Sequence, residues 1–97
     1  MTKFTVRIEL HKTDDYEPLH KEMANRGFTR TIESNTGSVY HLPPGEYNEI
    51  STRTGPEVRA EAVAAIRAIK KKGAVLITPS GGRFWQGLDE IEYDEDD

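Results

Sequence analysis

Phe4-Thr5-Val6-Arg7-Ile8-Glu9-Leu10-His11 alternates apolar and polar residues without a break. A period of two puts Phe4, Val6, Ile8 and Leu10 on one face of a strand and Thr5, Arg7, Glu9 and His11 on the other. Such a strand belongs in a sheet covered on one side. The rest of the chain then reads as its cover, its partners and whatever lies on its polar face.

Downstream, Thr13, Asp14 or Asp15 can cap a helix, with Glu17 three residues after Asp14 at the capping-box spacing. Tyr16, Leu19, His20, Met23 and Ala24 recur at helical spacing and Gly27 stands ready to end the run, which predicts a helix from about Asp15 to Arg26. Phe28 to Glu33 predicts a second strand, with Phe28 and Ile32 on one face. Ser34-Asn35-Thr36-Gly37 is a turn of the kind that joins antiparallel strands. Ser38 to Leu42 resumes strand character until Pro43-Pro44-Gly45 stops it, and Glu46 to Arg53, polar and without a clear period, reads as a loop, with a short strand or turn within it as the alternative.

Thr54 to Lys72 is the strongest helix signal. Thr54 and Glu57 repeat the capping box, Val58, Ala62, Ala65, Ile66 and Ile69 form the buried stripe, and Lys70 to Lys72 before Gly73 suit a helix end. Ala74 to Thr78 is a near-continuous apolar strand, and Phe84, Trp85 and Leu88 read as a short closing strand or flap.

The order strand, helix, strand, strand, helix, strand predicts an α+β, ferredoxin-like βαββαβ fold: one four-stranded antiparallel sheet with both helices on one face. The first and third strands would be central, with Ser38 to Leu42 beside the opening strand and parallel to it. Residues 1–88 form the expected domain. Residues 89–97 form an acidic tail that is expected to be disordered.

Ninety-seven residues suffice to bury roughly 60% of the unfolded chain's surface, so a core is expected without staples. The absence of cysteine rules out disulfides and thiolate metal sites and fits a cytoplasmic location. No signal-peptide pattern or membrane-length apolar run is present. The net charge of -4 argues against a broadly basic nucleic-acid surface, yet seven of the nine residues from Asp89 to Asp97 are acidic. Without that tail, 13 basic residues face 10 acidic ones, a balance of +3.

His11, His20 and His41 are the natural proton-transfer groups near neutral pH. His11 and His41 would share the polar sheet face if their strands were neighbours, whereas His20 falls within the apolar stripe of the first helix. No helical histidine pair exists, so neither a metal nor another cofactor is expected. Arg7, Arg26 and Arg30 are candidates for forked phosphate contacts, and Ser80-Gly81-Gly82-Arg83 for an anion-binding turn. Elbow, zincin and cysteine-nucleophile motifs are missing. Metal-independent RNA cleavage asks for less: a base, an acid and a cation, roles that histidine, arginine and tyrosine can fill.

The opening Phe-Thr-Val-Arg-Ile-Glu-Leu, the segment Leu-His-Lys-Glu-Met-Ala-Asn-Arg-Gly-Phe-Thr-Arg-Thr-Ile from Leu19 to Ile32, and the overall length resemble the GhoS family. These are small ferredoxin-like antitoxins of type V toxin-antitoxin systems, similar in fold to small CRISPR-associated nucleases. The resemblance covers roughly the first two-thirds of the chain and is carried by apolar positions and one Gly-Phe pair. It implies an endoribonuclease that cleaves the messenger of a small membrane toxin. The family's suspected catalytic element is a basic side chain on the first helix, and the matching slot here holds His20 where arginine is expected. Histidine moves protons but lacks arginine's permanent forked charge, which shifts the expectation from cleavage toward RNA binding.

The alternative of a different class is a non-catalytic module, such as a mobile-element or anti-defence inhibitor, whose acidic tail contacts a basic protein partner. A third reading is a homodimer formed through a sheet edge or face. An open polar face of Phe4 to His11 is the expected place for RNA or a partner. A flap from Phe84 to Leu88 folded over that face would make the strand structural on both sides.

Overall fold

The computed structural model describes residues 1–12 and 15–91. Its elements are β1 (Thr2–Leu10), α1 (Tyr16–Asn25), β2 (Thr31–Glu33), β3 (Val39–His41), β4 (Glu46–Ser51), α2 (Gly55–Ala68) and β5 (Gly73–Ser80). β1 lies at the centre of an antiparallel sheet ordered β4-β1-β5, while β2 and β3 pair as a separate antiparallel hairpin. The fold is α+β, but three strands plus two stand where one four-stranded sheet was expected. One bridge spans the gap: Thr29 N–H donates to the Asn48 carbonyl at 2.9 Å, and Asn48 N–H returns a bond to the Thr29 carbonyl at 2.8 Å.

The neighbour of β1 is also corrected. Glu46–Ser51, read from sequence as a loop with a short strand only as the alternative, pairs antiparallel with β1, and Ser38 to Leu42 is not its neighbour. The cause lies in β4's own pattern. Tyr47 and Glu49 are its buried residues, while Ile50 is 48% exposed, so a charged residue faces inward, an apolar one faces outward, and the hydropathy alternation cancels.

The period-two reading of β1 holds. Phe4, Val6, Ile8 and Leu10 are buried in one core with Leu19 and Met23 of α1 and Val58, Ala62, Ala65 and Ile66 of α2, so both helices cover the same face. Each large apolar side chain so buried contributes about 1.5–3 kcal/mol before entropy is counted.

The two helices start differently. Thr54 Oγ1 accepts from Glu57 N–H at 3.3 Å and Glu57 Oε1 accepts from Thr54 N–H at 2.9 Å, the reciprocal box expected from the sequence. Thr54→Ala is expected to lower stability by about 1 kcal/mol in urea unfolding. α1 begins without a side-chain cap from Asp15, and the expected alternatives Thr13 and Asp14 lie outside the described residues. Gly73, expected to end the second helix, instead opens β5. A Cβ there would stand 2.7 Å from the Glu9 carbonyl, so the close approach of β5 to β1 demands glycine.

After β5 the chain becomes a strap. The Arg83 guanidinium donates to the Asn48 side chain, and the Trp85 ring meets Tyr40 edge-on with centroids 5.5 Å apart. The strap then reaches β3, where His41 N–H donates to the Asp89 carbonyl and Ile91 N–H to the Val39 carbonyl, each at 2.8 Å. Residues 92–97 of the acidic stretch lie outside the described residues. A cavity of about 430 Å³ beneath the strap is lined by Thr5 and Thr78 of the polar sheet face together with Ile32, Leu42, Trp85 and Leu88. Part of the polar face is therefore roofed.

Candidate functional site

His20 follows the buried Leu19 on α1 and is itself half-buried. Its Nδ1 lies 2.6 Å from Oη of Tyr47, a fully buried residue that β4 sets opposite Val6. Burial pushes the Tyr47 phenol far above its ordinary pKa, with Tyr16 and Glu17 adding and Arg30 opposing, so the phenol keeps its proton. That buried hydrogen needs an acceptor, and Nδ1 is the partner at hand. Burial also holds His20 below the ordinary histidine value, with Arg30 adding and Glu17 opposing. The imidazole is thus neutral at pH 7, accepts at Nδ1 and carries its proton on Nε2. Nε2 makes no hydrogen bond among the described residues.

Tyr16, Glu17, His20, Arg30 and Pro44 line a cleft of about 390 Å³. Tyr16 fixes one wall: its hydroxyl accepts from Leu10 N–H at 2.9 Å and donates to the Ile8 carbonyl at 3.4 Å. Arg30 is exposed and forms no ion pair among the described residues. The Nε2–H of His20 and the Arg30 guanidinium are two donors in one cleft, an arrangement suited to the oxygens of a phosphate.

The other candidates separate. His11 and Arg7 are exposed and line an adjoining cleft of about 400 Å³ that shares Tyr16 and Pro44 with the first. His41 is exposed on β3 opposite Thr31, so the His11–His41 pairing conceived for neighbouring strands does not form; β4 and β5 take both places beside β1. Arg26 is committed to bridging the helices, with Nη1 3.1 Å from Glu61 and Nε 3.7 Å from Glu22. Arg83 anchors the strap on Asn48, and burial lowers its pKa. In the turn before it, Ser80 Oγ donates to the Gly82 carbonyl at 2.6 Å and accepts from Gly82 N–H at 3.2 Å. Among the described residues no cluster of three His, Cys, Asp or Glu side chains could hold a metal ion, and no helix is long and apolar enough to cross a membrane.

The residue that sequence reasoning missed is Tyr47, the group that sets the state of His20. No protein-family model matches the chain, and comparison with curated proteins and with solved structures returns no match.

Proposed function

We propose that this protein is an RNA-directed antitoxin of the GhoS kind that grips the phosphodiester backbone of a toxin transcript in the His20–Arg30 cleft. The observation that carries the reading is the bond between Tyr47 and Nδ1 of His20, which leaves the imidazole proton to Nε2 in a residue that lines one cleft with Arg30. The same tautomer has no lone pair on Nε2 to take a proton from a 2′-hydroxyl. The cleft is therefore a better phosphate clamp than a general base, and RNA binding ranks ahead of endoribonuclease action. The Thr29–Asn48 bridge supports an extended ferredoxin-like sheet, β2-β4-β1-β5, with β3 added at the β2 edge. The lack of cysteine supports a cytoplasmic setting.

The test is retention of a labelled RNA pool in EDTA by wild type, His20→Ala and Arg30→Ala, with the RNA then run on a gel. Wild type is expected to hold intact RNA, and each variant to bind roughly tenfold more weakly, the loss of one charge-assisted or donor contact. Cleavage that vanishes with His20→Ala would restore the enzymatic reading. Wild type that retains no RNA, but captures a single protein through its acidic tail, would turn the assignment to a non-catalytic protein-binding module.

A further inference from the structure

Phe84 is 98% exposed, although both its neighbours are anchored: Arg83 on Asn48 and Trp85 on Tyr40. An apolar ring held out in water on a fixed segment is preorganised to stack, because little chain entropy is left to lose on contact. Its surroundings are polar. Lys3 from β1, Arg83, and Glu33 and Asn35 from the hairpin line a cavity of about 390 Å³ with Phe84 and Trp85. We propose that this patch is a second RNA subsite, taking one nucleobase of a single strand on the Phe84 ring and a neighbouring phosphate on Lys3 and Arg83. It deepens, and rests on, the RNA reading of the His20 cleft.

Continuity of the surface joins the two sites. The His20 cleft meets the His11 cleft at Tyr16 and Pro44, and that cleft meets the cavity under the strap at Pro43 and Glu46. The strap cavity shares Arg83, Phe84 and Trp85 with the patch. Neighbouring clefts thus share lining residues all the way from Arg30 to Lys3. A polar rim around a lone aromatic ring suits a base and its phosphate better than a protein partner, whose footprint would want apolar neighbours around Phe84. Two cations against Glu33 make stacking the main source of affinity, so salt dependence is shallow, with a slope of about −0.7 for the one phosphate contact on a single strand.

Trp85 is the sole tryptophan, so its fluorescence reports on the patch directly. Titration with hexauridylate is expected to quench it saturably, while a duplex of equal length does not. Phe84→Ala is expected to weaken the single-strand affinity roughly tenfold, and Phe84→Tyr to restore it. The exposed ring makes no core contact, and matched far-UV dichroism checks that the variant is folded. If Phe84→Ala binds hexauridylate as wild type does, while His20→Ala weakens it, the subsite is wrong and the RNA reading stands. Equal quenching by duplex also overturns the stacking role. If wild type binds no RNA by fluorescence or by retention, the parent reading fails and takes the subsite with it.

Discussion

Gly45→Ala is expected to destabilise the protein by about 3 to 5 kcal/mol, a large part of the 5–15 kcal/mol typical of a domain. Gly45 has φ +85°, where a side chain costs about 1–2 kcal/mol by itself. A Cβ would also lie 2.6 Å from the Ile8 carbonyl and 3.2 Å from the Tyr16 ring. Neither can yield cheaply. Ile8 donates its N–H to the Gly45 carbonyl at 2.7 Å, which starts the β1–β4 pairing, and Tyr16 is held by its bonds to Ile8 and Leu10. Gly81→Ala is the control: a methyl group there would meet nothing within 4 Å and its φ is ordinary, so a change within about 0.5 kcal/mol is expected. Urea unfolding of both variants checks the contrast. Equal midpoints would mean that the Gly45 turn is not the fixed point between β1 and the Pro43-Pro44 rim of the cleft.

What could be read from the residues, and what could not, follows from where the physical signal was strong. β1 alternates cleanly and α2 carries both a capping box and an apolar stripe, so each was legible, and each is found within a few residues of its expected bounds. β4 was not legible, because it buries Glu49 and exposes Ile50. That single misreading propagated. It put the wrong strand beside β1, paired His11 with His41, and hid Tyr47 from the account of His20. The commitment of Arg26 was half legible: Glu22 precedes it by four residues on the same helix face, but Glu61 comes from α2 and only the packing of α1 on α2 brings it near. The place of His20 on α1 was legible from the helical spacing. Its tautomer needed a partner 27 residues away in sequence.

The residue that inverted β4's pattern also sets up the strongest electrostatic test. Glu49 is 5% exposed, on the core face opposite Phe4, with Oε1 2.7 Å from Nη1 of Arg53 and Oε2 unpartnered among the described residues. Burial raises its pKa above the ordinary carboxyl value; Arg53 pulls it back, Glu61 pushes it further, and Ser51 opposes. Arg53→Met removes the opposing cation and leaves a buried, ionised carboxylate, which is expected to cost about 3 kcal/mol near pH 7.5. The sign follows from linkage. A carboxyl whose folded pKa is raised gives its full stability below the unfolded value, near 4.3, and loses it as pH climbs through the folded value. The deficit of Arg53→Met relative to wild type is therefore expected to shrink as the pH falls, because acid favours the protonated form of the raised Glu49 carboxyl, and to grow toward neutrality. Adding Glu49→Gln should recover most of it at pH 7.5, since the double variant buries no charge. Urea unfolding of wild type, Arg53→Met and the double variant at pH 5 and pH 7.5 decides the matter. A deficit that ignores pH and survives Glu49→Gln would instead assign Arg53's contribution to its second bond, 3.2 Å from Nη1 to the Arg26 carbonyl, which ties the end of α1 to the segment leading into α2.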